Sequence, residues 1–142
     1  MPNFSFENFV REEGKNRTEG HRFRYQWANT GTQPIVAFEV VTLLYDPFDE
    51  PLPGFRRTVG GHNRGDFSPL VPGESSQDVV TGPGHSHIYT AISYVRTVRL
   101  SDGRIWRVNE SVLARELLRR VPNLEKLGPL VPEKIQEGAI KN

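Results

Sequence analysis

His85-Ser86-His87 sets two imidazoles on one side of an extended segment, and His62 stands in a Gly-rich loop as a third candidate. Two same-side histidines can begin a zinc or copper site. No carboxylate lies close to them in sequence and no ligand spacing accompanies them, so they read as loop histidines following Gly82-Pro83-Gly84. Asp46, Asp49 and Glu50 offer oxygen ligands, but without the alternating Asp/Asn/Gly spacing of a calcium loop. The expected role of Asp46 is to cap its own turn. Arg64-Gly65-Asp66 forms an adhesion tripeptide that recurs by chance. Serine nucleophiles lack a Gly-x-Ser-x-Gly elbow, and no glycine-rich phosphate cradle is present. Glu39, inside an apolar segment, is the carboxylate most exposed to burial, although alternation would turn it outward. The expectation is no catalytic centre, no cofactor and no resident metal.

The remaining chemistry is arginine. Arginine outnumbers lysine fourteen to four, and its planar fork suits carboxylates, phosphates and aromatic faces. Arg99 and Arg107 should share one face of a hairpin with Arg104 near its tip, while Arg115, Arg119 and Arg120 follow later. Eighteen basic residues against seventeen acidic ones leave a formal charge of +1. That balance gives no bulk attraction for a polyanion, and nucleic acid is not the expected partner.

These side chains must be positioned by one domain. The chain has 142 residues, 36% of them hydrophobic and 25% charged, which is an ordinary globular composition. Cysteine is absent, which excludes disulfides, thiolate metal sites and a cysteine nucleophile. No apolar stretch is long enough to span a bilayer. No basic start followed by an apolar run marks a secretory signal, so the default expectation is cytoplasmic. The triplets at Asn3, Asn16 and Asn109 match the glycosylation pattern but are expected to be fortuitous.

Residues 4–10 read as a first strand and residues 14–20 as a turn-rich break. His21 to Ala28 alternates strictly, with Phe23, Tyr25 and Trp27 on one face and Arg22, Arg24 and Gln26 on the other; this is a half-buried strand. Ile35 to Tyr45 is the most apolar segment, and its β-branched content favours a central strand. Asp46 to Gly54 carries three prolines and closes it. Short strands are expected at 55–59 and 75–80, with Pro72-Gly73 as a type II turn between them. A long strand over 88–100 leads through Ser101-Asp102-Gly103 to a partner over 104–108. A three-residue loop with Gly103 left-handed sets Trp106 opposite Val98 and Val108 opposite Arg96. That register puts Val98, Leu100, Trp106 and Val108 on one apolar face. The predicted core is Phe23, Tyr25, Trp27, Phe38, Val40, Leu44, Val98 and Trp106, in an antiparallel sandwich.

Several of these pieces together are similar to a known family. Asn29-x-Gly31-x-x-Pro34-Ile35-x-Ala37, Leu44-Tyr45-Asp46, Leu70-x-Pro72-Gly73-Glu74, Val95-x-x-Val98 and Asp102-Gly103-x-x-Trp106 occur in that order. The order resembles bacterial immunoglobulin-like sandwich domains of the FxLYD type, over about residues 20–108. Thr42 stands where the family carries its name-giving phenylalanine. The resemblance implies an immunoglobulin-like fold, a cell-envelope setting with leader sequences, and no catalytic residues.

The chain changes character at Asn109, which can cap a helix whose first turn carries Glu110. Leu113, Leu117, Leu118 and Val121 form its apolar stripe, Arg119 and Arg120 suit its C-terminal end, and Pro122 stops it. The organisation is thus an all-β domain over 1–108, a helix over 109–121, and a proline-containing tail over 122–142. The tail's apolar residues follow no regular period and cannot fold alone. The expected function is a non-enzymatic module that binds a protein partner through Leu113, Leu117, Arg119, Arg120, Leu124, Leu127, Leu130, Val131 and Ile135. The alternative is an accessory subunit docked into an assembly by its tail. The sequence does not specify an oligomeric state.

Overall fold

The computed structural model describes residues 3–13, 16–60, 68–83, 88–120 and 130. Seven strands and one helix follow in order: β1 (Asn3–Glu13), β2 (Asn16–Ala28), β3 (Ile35–Tyr45), β4 (Pro51–Gly60), β5 (Ser75–Pro83), β6 (Thr90–Leu100), β7 (Ile105–Arg107) and α1 (Glu110–Arg120). Two antiparallel sheets form, one ordered β1-β2-β5 and the other β4-β3-β6-β7. The chain is therefore a mostly β sandwich.

The alternation in β2 decides the inner layer. Phe23, Tyr25 and Trp27 are all buried, and they meet Phe38, Val40, Leu44 and Phe55 from the facing sheet. Trp27 and Phe38 stack edge to face at 4.8 Å, and Phe23 and Phe55 at 5.4 Å. This layer also holds polar groups. The hydroxyls of Tyr25 and Thr42 share a hydrogen bond of 2.6 Å, and Arg57 reaches across to Asp78 at 2.8 Å.

β3 is apolar on both faces because it is covered twice. Val41, Leu43 and Tyr45 point away from the first sheet and pack with Ile92, Tyr94 and Leu117 of α1. A third layer thus lies on the outer face of the four-stranded sheet. Asn109 caps the helix, accepting from the Val112 N–H at 3.1 Å. Leu117 is 8% exposed, Leu113 is half-buried and Leu118 is 37% exposed, so the stripe is narrower than the sequence implied. The hydroxyl of Tyr94 donates to the carbonyl of Leu130, fixing one tail residue on this same face.

The turns follow their residue chemistry. Gly73 sits at φ +83° and Glu74 N–H bonds Val71 O, as Pro72-Gly73 predicts. Gly103 sits at φ +90°, and the Leu100 N–H bonds Arg104 O across a three-residue loop. The hairpin register is the expected one, with Val98 opposite Trp106.

Trp106 is nonetheless 50% exposed and is not a core residue. Three strands face four, and β7 is the outermost strand of the larger sheet. The shared apolar face also breaks apart: Val98 packs into the inner layer, whereas Val108 packs with the helix layer. Several strand boundaries differ as well; β5 runs on to Pro83 and β6 begins at Thr90. β4 begins at Pro51 rather than Phe55, which an edge strand allows because a proline there need not donate to a neighbour. β1 and β2 pair continuously from Asn3↔Gln26 to Glu13↔Asn16, so cross-strand pairing overrides the turn-like composition of residues 16–20. Gly14 and Lys15 lie outside the described residues.

Candidate functional site

The edge formed by β7 combines free backbone, exposed apolar side chains and arginine. Alternate pairs of an antiparallel ladder exchange hydrogen bonds. The bonds Leu100 N–H to Arg104 O and Val108 N–H to Arg96 O fix the phase, so Trp106 turns its backbone toward β6. Ile105 and Arg107 then direct their N–H and C=O groups away from the sheet. Ile105 is 44% exposed beside half-exposed Trp106, and no further strand among the described residues pairs with this edge. The opposite edge of the same sheet, β4, is guarded by Pro51 and Pro53.

A β-bulge brings charge to this edge. β3 pairs Glu39 with Thr97 but Val40 with Val95, which leaves Arg96 as the extra residue. A bulge re-aims side chains. Arg96 lands on Glu39 at 2.7 Å, and Arg56 approaches the same carboxylate at 3.5 Å. The Glu39 carboxylate raises the Arg96 guanidinium above its ordinary value. Glu39 is thus half-buried and doubly paired on the outer face. Beside it runs a shallow trough of about 270 Å³ lined also by Thr97, Arg99, Ile105 and Arg107. Among the described residues no ion pair engages Arg99 or Arg107, whereas Arg104 is held by Asp102 at 2.6 Å. The trough therefore carries uncompensated positive charge next to an open strand edge.

The sequence-predicted contact residues divide differently. Leu113, Leu117 and Leu130 turn inward and are committed to the chain's own helix layer. They pack against the apolar outer face of β3 and β6, and Leu113 and Leu130 keep part of their surface exposed there. Arg119 and Arg120 are exposed, and both pair with Glu116. Leu124, Leu127, Val131 and Ile135 lie outside the described residues, as do His62, His85, His87 and the Arg64-Gly65-Asp66 tripeptide. Asp46 caps its turn, accepting from the Phe48 and Glu50 N–H groups at 2.8 and 2.9 Å. Among the described residues no helix is long and apolar enough to cross a membrane.

Sequence reasoning placed Arg99 and Arg107 on one hairpin face but missed Ile105 and the open edge. The available signal was that only five residues separate the Gly103 turn from the Asn109 cap, which is room for one short edge strand before the helix begins.

No family model matches the chain, and no curated protein matches it. Among solved structures, one similar chain is a Northeast Structural Genomics Consortium target, with 10% identity and a TM-score of 0.48 over 76% of this chain and 79% of that one. Another is a hypothetical protein from Peptoclostridium difficile 630, with 12% identity and a TM-score of 0.45 over 92% of this chain and 94% of that one.

Proposed function

We propose that this chain is a non-enzymatic, immunoglobulin-like binding module that takes an extended segment of a protein partner along the free edge of β7. The strand order supports the immunoglobulin-like reading. A sheet of β1-β2-β5 against β4-β3-β6-β7 corresponds to the constant-type arrangement with its fourth strand moved to the other sheet. The observation that carries the binding reading is the outward backbone of Ile105 and Arg107 beside exposed Ile105 and Trp106. Strand addition draws affinity from such main-chain groups and specificity from alternate side chains. Aromatic residues and arginine are also the side chains enriched at interfaces. The helix and Leu130 serve as an internal strap in this reading, which weighs against docking through residues 110–120.

Ile105→Pro tests it. Proline removes an outward N–H while leaving the β6–β7 ladder intact, because that ladder uses Trp106. A photo-crosslinking amino acid placed at Trp106 should capture a defined partner in the native host. The same capture should disappear when Ile105→Pro is added and the circular dichroism is unchanged. Capture that is indifferent to Ile105→Pro, or absent altogether, rejects the edge as the binding site.

A further inference from the structure

The inner face of β5 breaks the rule that builds a sandwich core. Inward positions of two packed sheets are ordinarily apolar. On β5 the inward set is Ser76, Asp78 and Val80, because these pair opposite Trp27, Tyr25 and Phe23 of β2. Only Val80 follows the rule. At this edge strand exposed Ser76 and half-buried Asp78 stand in place of apolar residues, and a cleft of about 250 Å³ lies between the sheets there. Its floor is the edge-to-face pair Trp27 and Phe38, with Val59 and Leu70 as walls.

Among the described residues, the ionisable side chains at the cleft are acidic: Glu74 and Asp78. Asp78 is partly neutralised by Arg57 at 2.8 Å, which itself does not line the cleft, and one of its oxygens accepts from the Val79 N–H. Glu74 is exposed, and no ion pair among the described residues engages it. A local departure from apolar patterning beside a cavity with an aromatic lining is where a ligand site is to be sought.

We infer that the inter-sheet cleft is a binding site for a small organic amine with an apolar, ring-sized body. The body lies on Trp27 and Phe38, and the ammonium group faces Glu74 and Asp78. At the packing density of protein interiors the cavity accepts roughly ten non-hydrogen atoms. An anion of the same size meets the Glu74 carboxylate with no cation among the described lining residues to offset it, and should bind less tightly. This site is separate from the β7 edge and does not depend on it.

The chain has two tryptophans, so Trp106→Phe leaves Trp27 as the sole indole reporter. In that background, 2-phenylethylamine, 2-phenylethanol and 3-phenylpropionate are titrated at neutral pH. Indole fluorescence and ligand-observed saturation-transfer NMR are recorded for each. The amine should bind most tightly and the acid least. Glu74→Gln should weaken the amine about two- to fivefold, the range of an exposed ion pair, and leave the alcohol unchanged. Ser76→Phe fills the mouth and should abolish the Trp27 response to all three while the circular dichroism is retained. Should Ser76→Phe impair folding, Glu74→Gln decides alone, since its side chain is exposed. No saturable response to the amine, equal binding of acid and amine, or binding that survives a folded Ser76→Phe overturns the assignment.

Discussion

Tyr25 and Thr42 are both buried, so bulk solvent does not reach either hydroxyl to replace its partner. Their hydroxyl pair spans the two sheets at 2.6 Å, and burial pushes the Tyr25 phenol upward. Removing one partner strands the other, which costs about 1–3 kcal/mol. Tyr25→Phe should therefore destabilise the fold by that amount in urea melts, whereas the double change with Thr42→Val should recover most of the loss. If the two single losses simply add, the hydroxyls are not coupled. The two indoles separate just as clearly. Trp27→Ala should cost about 3–5 kcal/mol as a core truncation. Trp106→Ala should cost less than about 1, because its ring is half in solvent. Equal costs would mean that Trp106 is buried in solution.

α1 is stabilised by its cap and by one buried side chain. Leu117→Ala should cost about 2–5 kcal/mol and Leu118→Ala less than about 1, a contrast that chemical denaturation resolves. Asn109→Ala should cost about 1 kcal/mol through the lost bond to Val112. The helix was legible in the sequence because cap, stripe and terminal arginines all agree. The hairpin register was legible for a similar reason: Ser101-Asp102-Gly103 admits few turns, and Gly103 selects one of them. The exposure of Trp106 was not legible. Register says which residues face each other; it does not say how many strands stand opposite. The arginine trough was hidden because it depends on a bulge at Arg96 that no local residue signals. The β5 cleft was hidden for a third reason. Ser76 and Asp78 read as a polar strand until pairing with Trp27 and Tyr25 shows that they point inward.

Across the whole molecule, the tyrosines on the outer face of the four-stranded sheet make stability sensitive to alkali. Burial pushes the Tyr45 and Tyr94 phenols from 10.0 up to about 12. A phenol raised in the folded state favours folding while it is protonated. That contribution is complete below pH about 10 and is lost as the pH rises through about 12. Urea midpoints measured across this window should fall, and Tyr45→Phe should flatten the fall. An unchanged slope in that variant would assign the alkaline loss to other groups.

The third layer has a consequence for how the protein is made. Ribosomes deliver the chain from its N-terminus, so every strand is available before α1. At about 5–20 residues per second the sandwich can pair while its last cover is still being translated. During that interval Val41, Leu43, Tyr45, Ile92 and Tyr94 form a greasy sheet face with nothing over it. Such a face is what chaperones and quality-control proteases bind, and a translation product that stops before α1 would present it permanently. The helix thus covers this face only after every strand of the sandwich has been made, and a copy cut short before Glu110 carries its own signal for removal.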